Sequence, residues 1–342
     1  MAALVLMPLL FIGMDTAGAA VRPEISFSPN WTPIFTGEPV TLTCNVAPTA
    51  QGNLEYSWYR NGHWISGDQQ RLEGVIYKGK YQCQAGASER SESVRLDVSY
   101  AWLILQAPPD VHEGDSLSLR CHSQTPYYTR NTVFYKNNKI IESPVSESEL
   151  HIGRVDVTAS GTYKCESEII YYGNTTYRDY KRASRYISVS ELFSTPQITV
   201  DPYPWTEGDH MTITCDTKLS PHRETTELQF VFYRNGHNVQ GFSLSNQYGV
   251  PSAQLEDSGK YTCEVQTTTG SVRKKSGVIN VEIQDGNQTG AVQNTVRLVL
   301  SGVIFIIILC LLFYHKKTMA VTYSQETEEN GGEIRNEGEC SI

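Results

Sequence analysis

Three stretches of the chain share one pattern of alternating apolar and polar residues. They cover residues 37–44, 114–121 and 208–215, and each ends on a cysteine. Period-two alternation puts one face of a strand on a core and the other face in water. Each stretch therefore predicts a half-buried β-strand that follows a turn and ends on a cysteine.

Two further blocks follow each of these strands in the same order. A large aromatic residue before a hairpin turn comes first, in Trp58-Tyr59, Phe134-Tyr135 and Phe232-Tyr233. A tyrosine two residues before a second cysteine comes next, in Tyr81-Gln82-Cys83, Tyr163-Lys164-Cys165 and Tyr261-Thr262-Cys263. This order resembles immunoglobulin domains, where an aromatic residue packs on an inter-sheet disulfide and the tyrosine forms a corner. We therefore predict an all-β fold of three tandem immunoglobulin-like β-sandwich domains plus one transmembrane helix.

Two apolar runs predict export and membrane insertion. Residues 4–13, followed by small residues up to Ala20, predict a secretory signal peptide; the alternatives are a disordered N-terminus or a short anchor. Residues 298–314 extend about 26 Å as a helix, close to the ~30 Å thickness of a bilayer hydrocarbon core. The basic residues after this run predict a cytosolic C-terminus, and hence a single-pass type I protein of the plasma membrane.

These patterns predict the organisation of the whole chain. We expect a signal peptide at 1–20, immunoglobulin-like domains at 21–99, 100–193 and 194–284, a stalk at 285–295, a transmembrane helix at 296–315 and a cytoplasmic tail at 316–342. The tail is acidic and is predicted to be disordered. Its tyrosine, Tyr323, lacks the apolar residue three positions later that tyrosine signalling motifs need.

The cysteines agree with export to an oxidising compartment. Of eight cysteines, six lie between the signal peptide and the membrane span, Cys310 lies in the span and Cys340 lies in the tail. Six cysteines allow fifteen pairings by number alone. The resemblance to immunoglobulin domains implies the pairs Cys44–Cys83, Cys121–Cys165 and Cys215–Cys263.

The second predicted domain carries a more specific resemblance. The run from Trp102 to Pro108, followed by Leu119-Arg120-Cys121-His122-Ser123, resembles the second domain of leukocyte Fc receptors. Glu191-Leu192-Phe193 is similar to the linker before the third domain of Fc receptor-like proteins, and Trp31 with Gly37-Glu38 is similar to their first domain. The resemblance to the leukocyte Fc receptor and Fc receptor-like family covers about residues 21–285.

This resemblance implies a ligand site around Trp102. In family members that bind immunoglobulin, two tryptophans clamp a proline of the antibody Fc, and Trp102 occupies the first position. The second position is expected two residues after the Ala-Pro pair, where this chain has Asp110. An acid cannot replace an indole face in apolar stacking. Immunoglobulin Fc and another cell-surface protein therefore both stay open as ligands, and Trp102 has interdomain packing as its alternative role.

Two loops of the second domain are expected to flank this site. The loop at 123–131 contains Tyr127, Tyr128 and Arg130. A long loop after Cys165 is rich in Tyr and Arg, the residue types enriched in interface hot spots. Its candidates are Tyr171, Tyr172, Tyr177, Arg178, Tyr180, Lys181, Arg182 and Arg185. The alternative is a long polar hairpin whose charges are solvated.

A polar pair near the start of the membrane span predicts a signalling partner. Asn294 and Arg297 are three residues apart and would share one helix face. The Asn-x-x-Arg pattern resembles receptors that pair with the Fc receptor γ chain, an adaptor whose span carries an acid. The alternative is an arginine that snorkels to the headgroups. We predict an activating Fc receptor-like immune receptor; an immunoglobulin-superfamily adhesion receptor without signalling of its own is the alternative.

Other chemistry has little support in the sequence. The histidines are scattered and show no paired metal-ligand spacing, and neither a phosphate-binding Gly-rich loop nor a Gly-x-Ser-x-Gly elbow occurs. We therefore expect no metal site, no cofactor and no enzymatic activity. A net charge of −9 without a basic block argues against nucleic-acid binding. Sequons predict N-glycosylation at Asn30, Asn174 and Asn287.

Overall fold

The computed structural model of the protein describes residues 21–47, 54–145, 148–171 and 173–329. Of residues 142–145, 174–178, 286–294 and 318–329 only the backbone is described. The predicted signal peptide, Tyr172 and Cys340 lie outside the described residues. The architecture confirms the predicted fold class, with β-sandwich domains in tandem and one helix long and apolar enough to span a membrane.

The first domain contains the strands β1 to β9. Their bounds are Glu24–Ser28, Ile34–Phe35, Val40–Asn45, Tyr56–Arg60, His63–Gly67, Arg71–Val75, Gly79–Ala85, Val94–Leu96 and Val98–Ser99. One sheet has the order β1-β3-β6 and the other β5-β4-β7-β8, while β2 pairs in parallel with β9. In β3, Val40, Leu42 and Cys44 are buried and the residues between them are partly exposed, which is the predicted alternation.

The second domain contains the strands β10 to β18. Their bounds are Leu103–Gln106, Val111–His112, Ser116–Ser123, Tyr127–Lys136, Lys139–Val145, Glu149–Arg154, Gly161–Tyr171, Asn174–Ile187 and Val189–Ser190. The sheets have the orders β10-β12-β15 and β14-β13-β16-β17, and β11 pairs in parallel with β18. A 3-10 turn, Val157–Ala159, precedes β16.

The third domain contains the strands β19 to β26, and a helix, α1, follows them. The strands are Gln197–Asp201, Met211–Asp216, Leu228–Arg234, His237–Ser243, Gln247–Val250, Gly259–Thr267, Arg273–Lys275 and Ile279–Val281. The chain forms two compact units. One comprises the described residues up to Thr199 with Ile213–Tyr248 and Lys260–Ile279, and here β22, β21, β24 and β25 lie side by side. The other comprises Val200–Thr212, Gly249–Gly259 and the described chain from Asn280 onwards.

The helix α1 is longer than the predicted span. It runs over Gly286–Glu329, and Thr295–Lys317 is the part apolar enough to cross a membrane. The helix therefore includes residues expected to form a stalk, and it continues into the part of the tail expected to be disordered. That expectation of disorder is wrong up to Glu329. Extending an existing helix needs no new nucleus, and the Glu, Gln, Lys and Met residues that follow the span are good helix formers.

One core arrangement recurs in all three domains. The structure has the disulfides Cys44–Cys83, Cys121–Cys165 and Cys215–Cys263. In each domain a fully buried aromatic residue lies directly opposite the second cysteine on the neighbouring strand. The pairs are Trp58 with Cys83, Phe134 with Cys165 and Phe232 with Cys263. Each domain therefore has an apolar cluster with a covalent link between its sheets at the centre.

The tyrosine corner is formed through the backbone. The hydroxyl of Tyr81 donates to the carbonyl of Tyr77 at 2.6 Å, and that of Tyr163 donates to the carbonyl of Ala159 at 2.7 Å. The third domain has Asp257 at the position that Tyr77 and Ala159 occupy. Because the acceptor in the first two domains is a main-chain oxygen, the corner forms with either tyrosine or alanine at this position.

The corner makes a testable contribution to stability. Tyr163→Phe removes the buried donor and leaves the Ala159 carbonyl without it, so the second domain should lose about 1–2 kcal/mol of unfolding free energy. Thermal unfolding of the purified chain measures this loss. Tyr180→Phe, at an exposed tyrosine of the same domain, is the matched control and should leave the transition unchanged.

Candidate functional site

Three aromatic side chains of the second domain form one exposed cluster. Trp102 precedes β10, Tyr127 begins β13 and Tyr171 ends β16. The rings of Trp102 and Tyr127 meet edge to face with centroids 5.2 Å apart, and those of Tyr127 and Tyr171 are tilted with centroids 5.5 Å apart. Half of the surface of Trp102 and 38% of that of Tyr171 stay accessible to solvent. We call Trp102, Tyr127 and Tyr171 the aromatic patch.

Strand pairing and a tight loop hold the aromatic patch in place. Tyr127 is the register partner of Tyr171 in the β13–β16 ladder. The Tyr127 N–H donates to the carbonyl of Gln124 at 2.9 Å, and the Gln124 N–H donates to the carbonyl of Trp102 at 3.1 Å. The hydroxyl of Ser123 donates to the Tyr127 carbonyl at 2.8 Å. Hydrogen bonds within the loop hold the backbone of Trp102 and Tyr127, and the strand pairing holds the backbone of Tyr127 and Tyr171.

Tyr128 and Arg130 do not belong to the aromatic patch. Successive residues of a strand point to opposite faces, so Tyr128 points away from the face that carries Tyr127. The side chain of Arg130 is exposed, and Arg130 is the register partner of Glu168 on β16. The Arg130 carbonyl accepts a hydrogen bond from the Ser167 hydroxyl at 3.0 Å. The predicted loop thus contributes one of its three candidates to the patch.

The segment after Cys165 is a long hairpin rather than a loop. The strands β16 and β17 pair from Gly161 with Ile187 up to Tyr171 with Asn174. Tyr180, Arg182 and Tyr186 are exposed on one face of β17. The side chain of Lys181 lies 2.6 Å from Asp179. The backbones of Tyr177 and Arg178 belong to β17, but their side chains, like that of the sequon residue Asn174, are outside the described part.

Arg185 faces the first domain. Its guanidinium donates to the carbonyl of Thr32. Burial lowers the pKa of Arg185, and the nearby carboxylate of Asp97 offsets part of that shift. Of the candidates in this segment, Arg185 therefore serves the junction between the first two domains, and Tyr171 alone joins the aromatic patch among the described side chains.

Several residues of the family-like motifs form that junction. Thr32 and Ala107 exchange both backbone hydrogen bonds, at 2.9 Å and 3.1 Å. The Gln106 amide donates to the Pro33 carbonyl at 2.8 Å. The His122 ring lies 2.6 Å from the Glu38 carboxylate. These contacts fix the first domain next to the segment that carries Trp102.

Asp110 is not the second half of a clamp around Trp102. Residues 103–109 separate the two positions, and the four of them that form β10 span about 13 Å of extended strand. The Asp110 carboxylate instead accepts from Arg223 of the third domain at 2.9 Å and lies 3.6 Å from the rings of His112 and His222. The ring next to Trp102 is that of Tyr127. The family resemblance placed the second clamp position at Asp110, whereas the structure brings Tyr127, from another strand of the same domain, next to Trp102.

The predicted adaptor residues lie on α1. Arg297 is exposed and is the third residue of the apolar part that begins at Thr295. Asn294 directly precedes that part, and only its backbone is described, as is that of the sequon residue Asn287. Asn30 is exposed, as a glycosylation site requires. Among the described residues, His, Cys, Asp and Glu nowhere form a group of three or more that could hold a metal ion.

Sequence comparison identifies the domain type. A sequence model of the immunoglobulin domain matches residues 22–98, 102–181 and 195–283. Each of these ranges contains both cysteines of one disulfide, and α1 lies outside all three.

Comparison with known proteins gives similar relatives over most of the chain. The chain is 34% identical to human Fc receptor-like protein 4 over 275 residues, which are 78% of this chain and 52% of that protein. It is 31% identical to human Fc receptor-like B over 276 residues, which are 78% of this chain and 64% of that protein. The chain thus covers about half to two thirds of the length of these relatives. Among solved structures, the second Ig-C2 domain of human Fc-receptor like A is 30% identical, with 27% of this chain and 98% of that chain aligned and a TM-score of 0.23.

The position of Asp110 leads to a prediction. Asp110→Trp should not improve binding of immunoglobulin Fc, because the new ring would stand beside Arg223 and not beside Trp102. The variant should lose about 1–3 kcal/mol of stability, since the partly buried guanidinium loses its carboxylate. Thermal unfolding and Fc titration measure the two effects. Asp110→Asn is the isosteric control. A rise in Fc affinity in the tryptophan variant would contradict this prediction and support position 110 as the second half of the clamp.

Proposed function

Because this chain belongs to the immunoglobulin-domain family and is an Fc receptor-like member of it, we propose that its aromatic patch binds the Fc of an immunoglobulin. In this proposal the chain is a type I cell-surface immune receptor. Its second domain holds the ligand, and α1 passes the signal to an adaptor. The exposed, pre-arranged cluster of Trp102, Tyr127 and Tyr171 is the observation that carries the proposal.

The physical properties of the patch suit a protein ligand. Tryptophan and tyrosine dominate interface hot spots because they bury a large apolar area with few rotatable bonds. The edge-to-face contact with Tyr127 already restrains Trp102, so binding costs little further side-chain entropy. An apolar ring of the ligand, such as a proline, could stack on the accessible part of the indole.

The adaptor proposal depends on the charge of Arg297. A charged side chain at the centre of a span costs about 2.5–3.5 kcal/mol, and less near the edge, where it can snorkel. Arg297 lies near the start of the apolar part of α1. An acidic residue in an adaptor span, as in the Fc receptor γ chain, would offset the remaining cost. Tyr323 is followed three positions later by Glu326 and not by an apolar residue, so it forms no tyrosine motif, which favours signalling through such a partner.

The ligand proposal predicts the effect of removing one ring. Trp102→Ala should weaken Fc binding by about 2 kcal/mol, roughly 30-fold in Kd, because a central indole is lost. Surface plasmon resonance with immobilised immunoglobulin measures this change. Trp64→Ala is the matched control, since Trp64 is an exposed tryptophan of the first domain.

Other outcomes of this experiment separate the alternatives. Equal affinity in the Trp102 and Trp64 variants contradicts the patch as the ligand site. Absence of binding to every immunoglobulin class, with a cell-surface protein captured instead through Trp102, replaces the Fc ligand and favours the adhesion alternative.

The adaptor proposal is tested by co-precipitation in mild detergent. Arg297→Leu should abolish recovery of the Fc receptor γ chain, because the buried acid of the adaptor loses its counter-charge. Arg297→Lys retains the charge and should retain most of the recovery. If the leucine variant recovers the adaptor at the wild-type level, Arg297 is a snorkelling anchor and the activating mechanism is wrong.

A further inference from the structure

Hydrogen bonds and ion pairs connect the second and third domains beside the buried apolar residues Leu192 and Phe193. The linker residue Leu192 donates its N–H to the Glu113 carboxylate at 2.9 Å and accepts from the Ser220 N–H at 2.8 Å. The Lys274 ammonium lies 2.5 Å from Glu113 and 3.3 Å from Glu191. Two turns of chain, around residues 110–115 and 217–224, meet at this joint.

A buried histidine occupies the centre of the joint. His112 is only 1% exposed, and its Nε2 lies 2.8 Å from the hydroxyl of Ser220 in the third domain. Its Nδ1 is also buried and makes no hydrogen bond to any described residue. The nearest carboxylate oxygen, on Asp110, is 3.6 Å away, beyond hydrogen-bonding distance. A neutral ring with an unprotonated Nδ1 fits this environment, whereas an imidazolium would bury a second N–H without an acceptor.

The groups around His112 do not supply that acceptor. The Asp110 carboxylate already accepts from Arg223 at 2.9 Å, and Asp115 lies 3.4 Å from the same guanidinium. The ring of His222 also faces Asp110, at 3.6 Å. Glu113 is engaged by Lys274 on the other side of β11. The strand β18, which pairs with β11, contributes Val189 and Ser190 and no ionisable side chain.

We propose that the joint between the second and third domains is an acid-sensitive hinge, closed at neutral pH and opened at the pH of acidic compartments, with His112 as the titrating group. The proposal does not depend on the identity of the ligand or the adaptor.

The direction of the pKa shift of His112 supports opening of the joint at low pH. Burial lowers the pKa of His112 below its ordinary value of 6.5, because it disfavours the imidazolium; the carboxylates of Asp110 and Asp115 offset part of this shift, and Arg223 and His222 add to it. The closed joint therefore binds the proton less tightly than the open joint does. Its stability is fully present above pH 6.5 and is lost as the pH falls below that value.

The size of the effect follows from the linkage of proton binding to opening. An open joint that binds one proton with an ordinary histidine pKa, against a closed joint that binds none, favours opening about tenfold more at pH 5.5 than at pH 7.4. This is an upper value, because any binding of the proton to the closed joint reduces it.

The backbone amide of Ser220 reports on the joint directly, because its hydrogen bond to Leu192 breaks when the joint opens. Hydrogen exchange of the full-length chain in nanodiscs, corrected for the pH dependence of the intrinsic rate, gives its protection factor. We expect a fall of up to about tenfold between pH 7.4 and 5.5. The amide of Cys165, inside the second domain, is the internal control and should keep its protection.

Two variants test which histidine causes the fall in protection of the Ser220 amide. His112→Gln keeps a polar group beside Ser220 but does not titrate, so its protection should not change between the two pH values. His222→Gln removes the more exposed histidine and should keep the wild-type fall. If His112→Gln does not fold, the wild-type chain and His222→Gln still test the proposal. A pH-independent wild type, or a fall that disappears in His222→Gln or persists in His112→Gln, overturns the proposal.

Discussion

The disulfide that joins the two sheets of each domain, with an aromatic ring packed directly opposite it, is the constraint on which the arrangement of the three domains depends. In the second domain this ring is Phe134, the register partner of Cys165. The pair fixes the register between β13 and β16 at this point of the sheet. A slip by one residue would turn every side chain of a strand to the other face. Further along the same ladder the register shifts by one residue between Arg130 and Val133, and beyond this shift Tyr127 stands opposite Tyr171. The surface proposed to bind ligand thus depends on the register at the core and on the irregularity of the ladder that follows it.

The junctions between domains show a second dependence, of surface chemistry on interdomain contacts. Glu38 and His122 connect the first two domains, and Asp110 and Arg223 connect the next two. Such partly buried polar contacts define the orientation of neighbouring domains more than they add stability, since desolvation offsets much of the attraction between charges. A joint of this kind can respond to protonation, because its charges are close and incompletely compensated. An apolar joint of the same area would not.

Much of the fold could be predicted from the sequence because its causes are local. Alternation, turn residues and the spacing of cysteine, aromatic residue and tyrosine are read within about 50 residues, and they determine the sandwiches. The partner of Trp102 could not be read in this way. Tyr127 reaches it through a turn and a strand pairing, whereas the family resemblance pointed to Asp110. The partner of Asp110 is 113 residues away in another domain. The alternation of Tyr127 with Tyr128 within β13 could have separated these two candidates, had that segment been taken as a strand. The long helix was underestimated because apolar content defines a span and not the ends of a helix.

The central claim is that ligand binds on the aromatic patch of the second domain. Hydroxyl-radical footprinting of the full-length receptor in nanodiscs, with and without saturating immunoglobulin Fc, tests it residue by residue. Trp102 and Tyr171 should lose most of their reactivity in the complex, while Trp64 and Tyr186, which are exposed elsewhere, should keep theirs. Protection of Trp64 or Tyr186 with unchanged reactivity of Trp102 would contradict the account and move the ligand site to another surface.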